Sequence, residues 1–440
     1  MTTTVPRLIG AALALAATAL LLVALGGAVP TFGGYALIGG LVVLVVGATL
    51  VEPMAFPLLV TPALLSVEQV GGVLSVSDFL LFPAFWVVLL LGRRPFSPTL
   101  RAALWLNAFY QFATLFTVVA NPYAANLTEW FHAWLLVGGA LVVGWGLGAG
   151  GLDRPALALL LAPMALIGVL AAVAALPMLA SGQWSPVYLD WPVPLHKNFI
   201  GSLLAYGAAI AYARPPWIGW PRWVWNVIFV LTTLGVLASQ ARQAWIALSF
   251  GILVILLRRR VSGAHRSLWI LLPVALAIYV VTQLLNDQLD EGGVHNSAGE
   301  RMLWYRLSFE VWRQSSIWFG AGLRWWYTDK FPLYQFQPPN AELEVLSSAG
   351  VVGLFGFLVM SIGIPVLLWR KLPPEYGTIA AVVPAMRLVN SQFDLYWVAV
   401  SVSIPYLVAG ICLGAAAAKE RGWNVRASPP TLRLDHEVAR

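Results

Sequence analysis

Apolar runs of 18 or more residues recur along most of this 440-residue chain, and they constrain its fold more than any other feature. A helix of that length crosses the hydrocarbon core of a bilayer. The fold class expected is therefore all-α, a polytopic transmembrane helical bundle. Only 10% of the residues are charged and 60% are hydrophobic, whereas a soluble domain carries roughly 25% charged residues. The expected spans are 8–29, 32–51, 54–67, 77–92, 99–120, 128–149, 155–179, 199–213, 223–238, 242–257, 268–285, 343–369, 375–390 and 395–416. Two of these are weak: 54–67 is short and interrupted by Pro57 and Pro62, and 375–390 contains Pro384 and Arg387. Either could be a re-entrant or interfacial piece, which makes the count 12 to 14. The first run is too long for a signal-peptide core of about 7–15 residues and reads as an uncleaved helix.

The net charge of +7 lies mostly in short loops, which suits orientation in a membrane rather than nucleic-acid binding. Arg93–Arg94, Arg154, Arg214, Arg258–Arg260, Arg370–Lys371 and Lys419–Arg421 fall on one side, read as the cytoplasm. The loops 121–127, 180–198, 239–241, 286–342 and 391–394 then face outward. The division expected is an N-terminal transmembrane bundle over 1–285, an outward loop over 286–342, C-terminal transmembrane helices over 343–418 and a cytoplasmic tail over 419–440. Cys412 is the only cysteine, so disulfides, a thiol metal site and cysteine redox chemistry are excluded. No internal repeat and no paired inverted halves suggest a transporter.

Charge in such a chain is expensive unless it faces water or a functional cavity. The outward side nevertheless carries His196 and Lys197 in PVPLHKNFIG, Arg242 in SQARQAW, Arg301 at the start of a loop helix, and a polar run from Pro339 to Gly353 followed by Asp394. Lys197, Arg242 and Arg301 together suit an anionic, membrane-embedded ligand such as a lipid diphosphate, since Arg makes bidentate phosphate contacts. Taken singly, each could instead snorkel to lipid headgroups. Residues 299–319 read as an amphipathic helix lying on the membrane plane, with Arg301, Trp304, Tyr305, Ser308 and Trp312 on one face. In NAELEVLSSAG, Asn340, Glu344, Ser347 and Ser348 share a helical stripe, and Glu342 suits the helix dipole of the first turn. Glu129 and His132 read as a local structural pair. Asp287, Asp290 and Glu291 read as a solvated acidic patch, and His295 as part of a flexible loop.

Several segments in order resemble a known family: HKNFIG, SQARQAWIAL, ERMLWYRLSFEVWRQSSIWFGAGLRWW and PPNAELEVLSSAGVVGLFGFL. The resemblance is to the O-antigen ligase and O-antigen polymerase superfamily of bacterial inner-membrane enzymes. It rests on Ser239 and Arg242 at a helix start, Arg301 with the Gly320–Ala321–Gly322 turn, and Asn340, Leu343, Leu346, Gly350 and Gly353 in the closing helix. It implies a multi-pass inner-membrane glycosyltransferase whose active site faces the periplasm and whose long loop is periplasmic. The reaction implied moves a glycan from undecaprenyl diphosphate to an acceptor sugar with inversion, without a cofactor or an essential metal. The acceptor implied for a ligase is a lipid A–core glycolipid.

Arg242 and Arg301 map to the donor-diphosphate arginines, and Lys197 to the family's basic group. Ligases carry a His before the loop Asn, where this chain has Pro339. The base expected in its place is Glu344, ahead of His196, with Asn340, Glu342 and Asp394 as further site candidates. Polymerase chemistry and protein O-oligosaccharyl transfer are rivals within the class; a lipid-linked-sugar transporter is the rival from another.

Overall fold

The structure, a computed structural model, describes residues 47, 49, 52–70, 74–92, 94–182, 185–191, 194–258, 297–331 and 336–423. The expected spans 8–29 and 268–285 and most of 32–51 lie outside the described residues. So do Arg93, Arg259, Arg260, the acidic patch Asp287/Asp290/Glu291, His295 and the tail beyond 423.

The described chain is helical apart from short connections. Helix α1 (Ala55–Ala63) leads into a small antiparallel hairpin of β1 (Gln69–Val70) and β2 (Leu74–Ser75). Then come α2 (Val76–Leu91), α3 (Pro98–Ala120), α4 (Ala124–Trp134), α5 (Ala140–Ala149), α6 (Asp153–Ala180), α7 (Lys197–Ala213), α8 (Arg222–Ser239) and α9 (Arg242–Leu257). Helix α10 (Ser297–Gln314) lies in the long loop, and α11 (Ala341–Lys371), α12 (Pro374–Asn390) and α13 (Ala399–Glu420) complete the chain. A π-helical turn, Leu135–Gly139, joins α4 to α5. Helix starts follow local chemistry. Ser75 and Asp78 form a reciprocal capping box on α2, and Ser97 caps α3 just before Pro98 at its first position.

Among the described residues six helical stretches are long and apolar enough to cross a membrane: 98–120, 124–149, 153–180, 222–239, 341–371 and 399–420. They sort by burial. The α13 window is wholly buried, whereas α3, α6, α8 and α11 turn more than half of theirs outward. Helix α13 therefore forms the axis of the bundle. Its closest partner is α5, and glycines make the approach possible. A Cβ on Gly144 would meet Leu407 O at 2.2 Å, and one on Gly414 would meet Trp145 O at 2.4 Å. Gly144 with Gly148 and Gly410 with Gly414 are thus two small-residue stripes, four residues apart on each helix, that let backbones touch.

Two expectations change in the structure. The loop helix stops at Gln314 rather than 319, because Ser315 N–H turns back to Trp312 O and Ser316 pairs with Gly320. The 54–67 segment yields only the nine-residue α1. By contrast 375–390 is a full helix, and Arg387 does not interrupt it.

The two ends of the bundle differ in charge. At one end Arg258 donates to Trp369 O and Leu372 O, Arg154 to Trp217 O, and Lys419 to Glu375, with Arg94 over the Trp423 ring. The other end holds the loop helix, the hairpin-like 189–195 turn and every outward site candidate.

Candidate functional site

The loop is bolted to the bundle by an exchange of backbone hydrogen bonds. Helix α11 breaks at Gly350, whose φ of 65° and ψ of −165° no other residue type adopts readily. The break leaves the carbonyls of Ser347 and Ser348 and the N–H groups of Val351 and Val352 without their helical partners, and buried backbone groups must find others. The Gly320–Ala321–Gly322 turn supplies them. Ala321 N–H donates to Ser347 O and Gly322 N–H to Ser348 O, both at 2.9 Å; Val351 N–H donates to Ile317 O at 3.0 Å and Val352 N–H to Trp318 O at 3.2 Å. A Cβ on Gly350 would lie 2.3 Å from the Trp318 carbonyl carbon. The glycines of the two loop motifs are therefore one joint seen from both sides.

Three separate segments deliver Lys197, Arg242 and Arg301. Lys197 and Arg242 open α7 and α9, and Arg301 stands in the second turn of α10. Gly201 of α7 lets the α8–α9 turn close in, since a Cβ there would sit 2.5 Å from Ala241 Cβ. Gln240 makes that turn in a left-handed conformation, with φ 51°. The result places the three cations within one another's electrostatic reach: Arg242 and Arg301 both act on Lys197, and Arg301 acts on Arg242. Like charges brought this close raise one another's electrostatic energy, and a bound anion lowers it.

Asp394 lies beside this group. Its Oδ2 accepts from Gln243 Nε2 at 3.4 Å and its Oδ1 from Leu395 N–H at 2.9 Å. Burial raises its carboxyl above the ordinary 3.8, against the pull of Arg387, Arg301 and His196. His196 is the N-cap of α7, its Nδ1 accepting from Asn198 N–H at 3.3 Å, and its ring meets Tyr188 edge-on at 5.2 Å. Burial, with Lys197, holds its imidazole below 6.5, Asp394 acting the other way.

Asn340 caps α11, accepting Leu343 N–H and donating to Gln392 O; Glu342 accepts from Gln392 Nε2 at 2.8 Å. Tyr305 of α10 also donates to Gln392 O, so these groups tie the loop to the 391–392 turn. Their contacts are those of a clamp.

The two expected bases are poorly placed to accept a proton. Glu344 is 1% exposed, and each carboxylate oxygen already accepts one hydrogen bond, from Gln337 Nε2 at 2.9 Å and Tyr396 N–H at 3.2 Å. His196 Nδ1 spends its lone pair on the helix cap. A neutral ring then carries its proton on Nε2 and donates from there.

Two side chains central to this end carried no motif. Arg387 is 1% exposed and reaches the carbonyls of both Leu395 and Tyr396, pinning the loop that presents Asp394. Arg324, in a left-handed conformation (φ 56°), leaves the loop to pair with Glu129 of α4. Glu129 Oε2 also faces His132 Nδ1 at 3.2 Å, and His132 Nε2 faces Asp78 Oδ1 at 3.2 Å. Glu129 and His132 are thus half of a four-residue cluster, where the sequence suggested an isolated pair. A cavity of about 550 Å³ is lined by this cluster and by His196.

Residues 227–358 match the family model described as O-antigen ligase, a segment that runs from α8 through the broken part of α11 and contains Arg242, Arg301 and both glycine motifs. No curated protein matches the chain. Among the described residues six helical stretches are of membrane length, so the chain is a multi-pass membrane protein, and its residues 227–358 are similar to the O-antigen ligase family.

Proposed function

We propose that the protein is an inverting glycosyltransferase that moves a glycan from undecaprenyl diphosphate to an acceptor sugar, and that it acts as an O-antigen ligase on lipid A–core at the periplasmic face of the bacterial inner membrane. What supports this is that Lys197, Arg242 and Arg301, from three distant segments, lie within one another's electrostatic reach at the end of the bundle where the loop docks. Two of the three lie inside the O-antigen ligase match.

In the reaction, the diphosphate sits against the three cations. The acceptor hydroxyl oxygen forms a bond to the anomeric carbon, the bond from that carbon to the phosphate oxygen breaks, and its electron pair leaves on the diphosphate. Cations already held in place stabilise that growing charge without reorganising, and removing one such contact costs about 10²–10³ in rate. Asp394 moderates the self-repulsion of the cluster, and His196 offers an Nε2–H to a phosphate oxygen.

The test is transfer by the purified protein in nanodiscs, with an undecaprenyl-diphosphate-linked oligosaccharide and lipid A–core. Arg242→Ala should lower turnover at least a hundredfold while the variant stays folded. Wild-type turnover by Arg242→Ala would remove the diphosphate role. A ladder of lipid-linked repeats, with no glycan on lipid A–core, would replace ligase by polymerase.

A further inference from the structure

The donor side of this reading leaves the acceptor without a site and its proton without a destination. The 550 Å³ cavity answers both. Its volume is that of a small-ligand site. Four aromatic rings stand along it, Tyr188, Phe199, Tyr327 and Trp397, and Asp190 and Gln337 add hydrogen-bonding groups. Tyr188 and Tyr327 are 51% and 59% exposed, leaving ring surface open. Aromatic faces that cover C–H surfaces, with carboxylate and amide groups for hydroxyls, are the chemistry of saccharide binding.

The cavity is also in the right place. His196 lines it, and His196 is the chain neighbour of Lys197 and lies in the field of Asp394. A sugar here has a hydroxyl next to the cations. Asp78, Glu129 and His132 line the same cavity.

Within this cluster Glu129 is held by one oxygen only. Arg324 Nε and His132 Nδ1 both meet Oε2, leaving Oε1 outside these contacts. His132 is steadied in turn by Asp78, whose Oδ2 accepts from Ser75 N–H and Oγ at 2.8 Å each. We propose that the cavity binds the acceptor saccharide and that Glu129 Oε1 receives the proton of the attacking hydroxyl. The O–H bond breaks to Glu129 as the new C–O bond forms and the diphosphate departs with its electron pair. Arg324, His132 and Asp78 are positioning residues for that carboxylate. The proposal rests on the glycosyl-transfer reading above.

The test uses the full chain in nanodiscs and three probes: undecaprenyl diphosphate, the deacylated lipid A–core oligosaccharide, and the delipidated donor glycan. Tyr188→Ala and Tyr327→Ala should weaken binding of the core oligosaccharide at least tenfold and leave undecaprenyl diphosphate binding within twofold. Glu129→Gln should keep both affinities and lower turnover about 10²–10⁴-fold, the range for a positioned base. Formate should restore part of the turnover of Glu129→Ala, which repair of a merely structural defect would not do. Core-oligosaccharide affinity unchanged in both Tyr variants, or tighter binding of the donor glycan than of the core oligosaccharide, overturns the acceptor site. Wild-type turnover by Glu129→Gln overturns the base. If undecaprenyl diphosphate binds Arg242→Ala as it binds wild type, the donor reading fails, and oligosaccharide binding alone judges the cavity. If the lipid depends on Arg242 but no oligosaccharide binds, the cavity proposal fails and the donor reading stands.

Discussion

Replacing Arg324 by Met removes a buried cation and leaves its partner behind. The side chains of Arg324 and Glu129 are 8% and 6% exposed, so water does little to screen them. Two unit charges about 4 Å apart attract by about 4 kcal/mol at an effective dielectric of about 20. Breaking a buried pair from one side costs about 3–5 kcal/mol, chiefly the desolvation of the charge left over. His132 stays 3.2 Å from the same Glu129 oxygen and softens that loss, so the expected cost is about 3 kcal/mol, near the lower end of the same range. A difference of that size changes the folded-to-unfolded ratio more than a hundredfold. The docked segment keeps other ties, since Leu323 N–H donates to Asn126 Oδ1 at 2.8 Å and Tyr123 Oη to Leu323 O at 3.0 Å. The variant should therefore fold and lose stability, without losing the bundle. Equilibrium unfolding of the purified chain in mixed micelles, followed by tryptophan fluorescence, measures it. The double variant Arg324→Met/Glu129→Gln removes both charges and should regain about 1–2 kcal/mol, a coupling in the range of contacting pairs. A single variant within about 0.5 kcal/mol of wild type, the scatter of neutral surface changes, would refute this account. So would a double variant no more stable than the single one.

Two further outcomes follow from the geometry. Gly350→Ala places a methyl 2.3 Å from the Trp318 carbonyl carbon at a φ that alanine resists; it should undo the four exchanged hydrogen bonds, cost at least ~2 kcal/mol and open the 315–331 segment to protease, read as new cleavage by limited proteolysis. Asp394, whose carboxyl is raised by burial, holds its proton to higher pH folded than unfolded; its contribution to stability therefore falls as pH rises from 3.8 through the raised value. Asp394→Asn should abolish that fall. It should also bind undecaprenyl diphosphate about tenfold more tightly at neutral pH, a gain of roughly 1.4 kcal/mol from removing one negative charge beside the cations. Equal lipid affinity of the two proteins across pH 4–8 would show that Asp394 does not oppose the ligand.

Much of the fold was legible because its signals are local. A membrane-length apolar run states its own secondary structure, and the spans expected at 99–120, 155–179 and 343–369 lie within α3, α6 and α11 with ends two residues longer or less. Charge counts along the chain likewise picked out Lys197, Arg242 and Arg301, because three cations in an apolar chain are conspicuous without any knowledge of where they meet. Arg387 was conspicuous too, but on sequence it looked like a flaw in a weak helix. Only its carbonyl partners, eight and nine residues on, show it as an anchor.

The sequence alone determined which segments are helices, which end of the bundle is basic, and which cations stand at the opposite end. Those properties follow from hydropathy and charge summed over neighbouring residues. Tertiary structure alone decided which groups share a pocket. Arg324 and Glu129 are 195 positions apart, and nothing near either announces the other. The same holds for Gly350, whose identity is visible in the chain while its purpose, receiving the 317–322 backbone into a broken helix, is not. Partners chosen through space leave no periodic trace along a chain, so proton acceptors such as Glu344 and Glu129 can be told apart only once their neighbours are in place.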